Sequence, residues 1–138
     1  MHTDIYGRTY ELDSNVLNVV ATRLESRRQS QQYMSMLQEY LDWIDFTQPL
    51  DILVLGCGTG VEVREILARP DFHGAITATD ISPVLIERGK STFADEDIGA
   101  DVKWLVLDAQ DTQLPNRSYD LILAHTVISH VPDPQAVI

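Results

Sequence analysis

The residues best suited to chemistry cluster at three points in the second half of the chain. The first is Leu53-Val54-Leu55-Gly56-Cys57-Gly58-Thr59-Gly60, an apolar run ending in a glycine-rich turn. Glycines there admit backbone angles closed to other residues and let a ligand approach the main chain without meeting a Cβ. The second is Asp80, in Thr79-Asp80-Ile81-Ser82-Pro83, twenty residues beyond Gly60. A carboxylate at that distance can accept hydrogen bonds from both hydroxyls of a ribose. The third is Asp108, in Leu107-Asp108-Ala109. Either acid alone would also serve as a helix cap or turn residue. What favours a binding site is that a glycine turn and two acids follow three successive strand-like runs, where open parallel sheets bind ligands.

The remaining reactive side chains carry less. His125 and His130 are the candidates for proton transfer near such a site, although position does not establish reach to a substrate. Neither they nor Asp133 show metal-ligand spacing, and no metal is expected. Cys57, the single cysteine, reads as a small residue that fits a tight turn and permits no internal disulfide. The dinucleotide fingerprint requires glycine at its first, third and sixth positions. Here the sixth is Val61, with the third glycine one residue early at Gly60, and the lysine of a phosphate-binding P-loop is absent.

Several elements must position these groups. Leu50 to Leu55 is nearly continuous in apolar residues, as for a strand buried on both faces. Ala75–Thr79, Val102–Leu107 and Tyr119–Ala124 read as further strands. Between them, Val61, Val63, Ile66 and Leu67 predict a helix stopped by Pro70, and Ser82-Pro83 predicts the capped start of another. Gln113–Asn116 is loop, and a further helix begins after Pro132. Strands alternating with helices imply parallel pairing, hence a doubly wound α/β fold. The stretch up to Gln48 reads as helical, with Ser14 as the first cap and Tyr33, Leu37, Tyr40, Leu41 and Ile44 on one face. Tyr33, Tyr40 and Trp43 at this spacing are expected in the core. Arg23, Arg27 and Arg28 complement a helix C-terminus in solvent, or bring one arginine to an anionic group if these helices cover the site. The chain thus divides into a helical cap, residues 1–49, and an α/β core, residues 50–138.

Composition narrows the classes. The 138 residues carry ten basic against twenty-one acidic side chains, a net charge of −11 that repels nucleic acid and anionic membranes. No run is apolar and long enough to span a bilayer, and Met1–Ile5 lacks the basic and apolar regions of a secretory signal. A cytoplasmic protein is expected.

Taken in order, Val54–Gly60, Thr79–Pro83, Leu107–Ala109 and Tyr119-Asp120-Leu121-Ile122-Leu123-Ala124-His125 resemble the motifs of class I S-adenosylmethionine-dependent methyltransferases. Ile128-Ser129-His130-Val131-Pro132-Asp133-Pro134 resembles the segment after the fourth strand in their small-molecule branch, which includes quinone and natural-product enzymes. The resemblance runs from about residue 50 to the end. It implies a Rossmann-like fold, S-adenosylmethionine as cofactor and in-line methyl transfer to a small-molecule acceptor. It further implies that Gly56, Cys57, Gly58 and Gly60 line the methionine part of the cofactor and that Asp80 holds the ribose. Ile81 would pack on the adenine, Asp108 would accept from its amino group, and the Ala109 amide would meet the ring. His125 would lie near the methionine and the substrate entrance, whereas Asp120 would start the fourth strand, away from the chemistry. One position departs from the pattern. The residue two before the first glycine is acidic in many relatives and helps to hold the cofactor's amino group, but here it is Val54. That group would then depend on backbone carbonyls such as that of Gly56.

Two other readings stand beside this one: an NAD-dependent oxidoreductase, opposed by the glycine spacing, and a non-catalytic cofactor-binding or interaction domain. The resemblance also implies three further strands after the fourth, so a chain shortened after strand four is expected. The fourth strand would then form an exposed edge, open to pairing in a homodimer.

Overall fold

In the computed structural model the described residues are 14–115, 117–124 and 135. They contain, in chain order, helices α1 (Ser14–Ser26) and α2 (Gln31–Leu41), strand β1 (Leu50–Val54), helix α3 (Val61–Leu67), strand β2 (Gly74–Asp80), helix α4 (Pro83–Asp95), and strands β3 (Lys103–Val106) and β4 (Leu121–Leu123). A single 3-10 turn, Arg27–Gln29, joins the first two helices. The expected helix after Pro132 lies outside the described residues.

The four strands form one sheet in the order β3-β2-β1-β4, and every pairing is parallel. The chain winds outward from β1 through β2 to β3, then returns to the other side of β1 for β4. This reversal makes the carboxyl end of β1 a switch point, where the crossovers leave in opposite directions and a crevice opens. The glycine turn leaves β1 at that point. At the opposite end of the sheet, Asp51 and Asp120 are tied together. The Asp120 amide donates to the Asp51 carbonyl at 2.8 Å, and Asp120 Oδ2 accepts from the Asp51 amide at 2.9 Å. Both acids therefore sit far from the crevice, as the resemblance implies for Asp120.

The core follows from strand alternation. Ile52 and Val54 on β1, with Ile76 and Ala78 on β2, share one sheet face with Val63 and Ile66 of α3 and with Leu37 and Leu41 of α2. The N-terminal helices thus contribute side chains to the same core as the sheet. Local signals set the helix starts. Ser30 and Ser82 accept amide hydrogen bonds from Tyr33 and Leu85, both at 3.2 Å, and Pro83 occupies the first turn of α4, where no amide is needed.

Two expectations for the helical segment require correction. Helix α2 ends at Leu41, and residues 42–48 run as turns in which Asp45 accepts from the Thr47 amide at 2.9 Å. Trp43 consequently falls beyond the last helical residue, loses the inward register and stands 83% exposed. Tyr33 and Tyr40, still on the helix, are half-buried against the core.

Candidate functional site

The site is built from the turn after β1 outward. Gly56, Gly58 and Gly60 all have positive φ, at 64°, 56° and 97°. A side chain at these angles is strained. A Cβ on Gly58 would also stand 2.9 Å from Leu24 Cδ1 of α1, so the first helix closes directly over the turn. The third glycine serves a different contact. A Cβ on Gly60 would meet Trp104 at 3.0 Å and Phe93 at 3.1 Å, two rings that pack edge to face at 5.0 Å. That glycine lets β3 and α4 press against the start of α3.

Backbone hydrogen bonds fasten the turn to its neighbouring strands. The Leu55 amide donates to the Leu123 carbonyl of β4 and the Cys57 amide to the Thr79 carbonyl of β2, both at 2.8 Å. Thr79 Oγ1 in turn donates to the Val54 carbonyl at 2.8 Å. The amides of Gly56 and Thr59 find no acceptor among the described residues, and the buried hydroxyl of Thr59 has no partner among them either. An unpaired buried hydroxyl costs about 1–3 kcal/mol relative to a bonded one. A polar ligand seated on the turn would relieve such a deficit, so the turn fits a bound group with both donors and acceptors.

Asp80 closes the site at the end of β2. Its carboxylate is buried, with Oδ2 accepting the Gly58 amide at 2.9 Å and Oδ1 accepting the Ser82 amide at 3.0 Å. Burial raises its pKa above the ordinary aspartate value, and the amides of Ser82, Gly58 and Ile81 pull it partly back. A carboxylate offers about four acceptor sites; the Gly58 and Ser82 amides take two and the Ile81 amide also acts on it, which leaves acceptor capacity for hydroxyl donors. Asp80 therefore links the first and second strand ends in one hydrogen-bonded unit. Ile81, beside it, is partly exposed.

Asp108 is bound into a tighter local turn. Its Oδ1 accepts the Gln110 amide at 2.9 Å, and it bridges Asp111 in a short antiparallel contact. Ala109 lines a cavity of about 460 Å³ between the β3–β4 loop and Leu53, Leu55 and Ile122 of the sheet. Neither the three glycines nor Asp80 line that cavity. His125 and His130 lie outside the described residues. Cys57 is fully enclosed, and burial pushes its thiol well above its usual range, reinforced by the charges of Asp80 and Glu62. A thiol held protonated is not a nucleophile.

The basic cluster divides on folding. Arg28 pairs with Glu25 on the surface at 3.7 Å, and Arg23 is exposed. Arg27 instead lies 5.4 Å from the centre of the Tyr33 ring. Tyr33 donates to Glu62 Oε1 at 2.8 Å, which brings α2 against the residue two beyond Gly60. Sequence reasoning missed Leu24, Thr59 and Glu62. Glu62 carried a signal, a charge within the apolar run Val61–Val63. Among the described residues no helix is long and apolar enough to cross a membrane, and no cluster of three metal-ligating side chains occurs.

Comparison with known proteins bears on this geometry. The family model for the methyltransferase domain matches residues 52–138, from the middle of β1 onward. A malonyl-[acyl-carrier protein] O-methyltransferase of Acetivibrio thermocellus is 35% identical over 101 residues, covering 71% of this chain and 33% of that protein. A ubiquinone biosynthesis O-methyltransferase of Xylella fastidiosa is 32% identical over 101 residues, covering 71% of this chain and 39% of its own. The chain thus spans between a third and two-fifths of the length of these curated relatives. Among solved structures, the fold matches the [4+2]-cyclase SpnF with a TM-score of 0.69 at 18% identity, over 78% of this chain and 39% of that one. It matches the chain in complex with the Haloferax volcanii Trm112 methyltransferase activator with a TM-score of 0.71 at 16% identity, over 88% and 51% respectively. The parallel sheet, the glycine turn at its switch point and the family match agree: the chain belongs to the class I S-adenosylmethionine-dependent methyltransferases.

Proposed function

We propose that the chain binds S-adenosylmethionine across the carboxyl ends of β1, β2 and β3 and serves methyl transfer to a small-molecule acceptor. The observation that carries this reading is the Asp80 carboxylate, buried at the end of β2, tied to the Gly58 amide and left with acceptor sites beyond those its amide partners fill. Those sites suit the two ribose hydroxyls. Gly56 and Gly58, with the main chain of Cys57 and Gly60, form the surface for the methionine portion, with the Gly56 and Thr59 amides as donors. Ile81 offers an apolar surface to the adenine, and Asp108 with the Ala109 amide offers an acceptor and a donor to its edge.

When bound, S-adenosylmethionine supplies a methyl group on a sulfonium that departs as a neutral thioether. The protein's task is to hold acceptor and methyl in line and to exclude water. Leu24, over the turn, begins that exclusion on the α1 side. His125 and His130 carry no part of the proposal. The names of the two relatives, both O-methyltransferases, support an oxygen acceptor on a small molecule or carrier-bound acid.

The test is transfer of labelled methyl from S-adenosylmethionine to a panel of carboxylic acids, thioester-linked acids and phenols. Label in an acceptor is the expected result. Binding of S-adenosylhomocysteine without transfer to any acceptor would refute catalysis and leave a binding domain.

A further inference from the structure

The turn lacks an acid at position 54, yet a buried carboxylate stands close to it. Val54 is 1% exposed and packs in the core. Glu62, in the first turn of α3, is only 6% exposed, although glutamate is rarely buried without a charge partner. Its recorded bond is from the neutral Tyr33 hydroxyl to Oε1. Among the described residues Oε2 accepts no hydrogen bond, and no Lys or Arg forms an ion pair with Glu62; the recorded pairs are Arg28–Glu25, Arg64–Glu96 and Arg69–Asp42. Arg27, whose charge and hydrogen bond act on the Tyr33 hydroxyl, reaches Glu62 only through that phenol, whereas a cation arriving with a ligand would meet Oε2 directly and offset the cost of enclosing the carboxylate. Glu62 is also near enough for its charge to act on the Cys57 thiol, between the first two glycines.

We infer that Glu62 is the acidic partner of the α-ammonium of the cofactor's methionine portion, in the role that Val54 cannot fill. This inference rests on the cofactor reading above. Tyr33 is a positioning residue: its hydroxyl fixes Oε1 and leaves Oε2 for the ammonium. Burial and the Glu62 charge raise the tyrosine's pKa, against a smaller lowering by Arg27, so the phenol stays a donor. The arrangement couples cofactor binding to the docking of α2.

Equilibrium dialysis with S-adenosylhomocysteine and with its analogue lacking the α-amino group tests the inference. S-adenosylhomocysteine has no sulfonium, so the amino group is the cation it brings. The natural chain is expected to prefer S-adenosylhomocysteine by about tenfold or more, the strength of one charge-assisted hydrogen bond. Glu62→Gln keeps the acceptor for Tyr33 and is expected to reduce that preference to about one, with binding of the analogue unchanged. Tyr33→Phe is expected to reduce it by a smaller factor, again sparing the analogue. Equal loss of both ligands in Glu62→Gln, or an undiminished preference in both variants, would overturn the inference while leaving the cofactor reading intact. Failure of the natural chain to bind S-adenosylhomocysteine would overturn the cofactor reading and the inference with it.

Discussion

Replacing Asp80 by Asn separates a ligand-binding carboxylate from a turn fastener. Asn preserves the shape but offers a single acceptor oxygen and two donors. In the natural chain Oδ1 and Oδ2 each accept one amide, from Ser82 at 3.0 Å and Gly58 at 2.9 Å. One of those amides would face an NH2 group in the variant, at a cost of about 1–3 kcal/mol. Removing the buried charge acts in the opposite direction, because burial is the largest influence on Asp80. The expected net change in unfolding free energy is therefore small, within about 1–2 kcal/mol. Ligand affinity has no such compensation. At least one ribose hydroxyl loses a charged acceptor, at about 1.5–3 kcal/mol, or roughly 10- to 150-fold in Kd. Titration calorimetry with S-adenosylhomocysteine, alongside urea unfolding, reads both quantities. An Asp80→Asn chain that is clearly less stable yet binds within about twofold of the natural one would refute the ribose role.

The other predictions concern pH, the turn and the thiol. Because the folded-state pKa of Asp80 lies above the unfolded value of 3.8, the unfolded chain is ionised and the folded one protonated between the two. Asp80's contribution to stability is thus full below 3.8 and is lost as pH rises through its folded pKa, whereas ribose binding needs the ionised form and weakens on acidification through the same range. Both trends should be absent from the stability and affinity profiles of Asp80→Asn. Gly58→Ala should destabilise the chain by about 2 kcal/mol, from a left-handed backbone strain of about 1–2 kcal/mol plus the contact with Leu24. In a Leu24→Ala background the same substitution should cost less, and an undiminished cost in unfolding measurements would show that α1 does not close over the turn. Cys57 should resist alkylation by iodoacetamide in the folded chain and react only on unfolding, as mass spectrometry would register. Ser82→Ala should cost about 1 kcal/mol through the lost cap on the Leu85 amide, a value that thermal melting can check.

The features legible in the sequence are those set by neighbours along the chain. The glycine turn, the Ser82-Pro83 cap and the acids after β2 and β3 depend on strand-to-helix spacing, and each falls where that spacing puts it. The four strands were legible for the same reason, although β3 and β4 are shorter than their apolar runs. Contacts between distant segments were not. Leu24 lies over Gly58, and Tyr33 reaches Glu62 across 29 residues, because helix docking angles carry no signature in local periodicity. Gly89 illustrates the same point: a Cβ there would stand 2.8 Å from the Thr59 carbonyl, so a glycine within α4 allows that helix to lie against the turn. Trp43 stands in solvent because the helical period that would turn it inward runs past Leu41, where the helix stops. Asp108 lies between these cases, since its observed bonds are those of a turn, and the adenine contact is only proposed for it.

The central claim is that the crevice at the carboxyl end of β1 is built for S-adenosylmethionine. Titration calorimetry of the 138-residue chain with S-adenosylhomocysteine and, separately, with NAD tests it most directly. Saturable binding of S-adenosylhomocysteine at one site per chain, with no heat from NAD, is the predicted result. Binding of NAD without S-adenosylhomocysteine, or of neither, would contradict it.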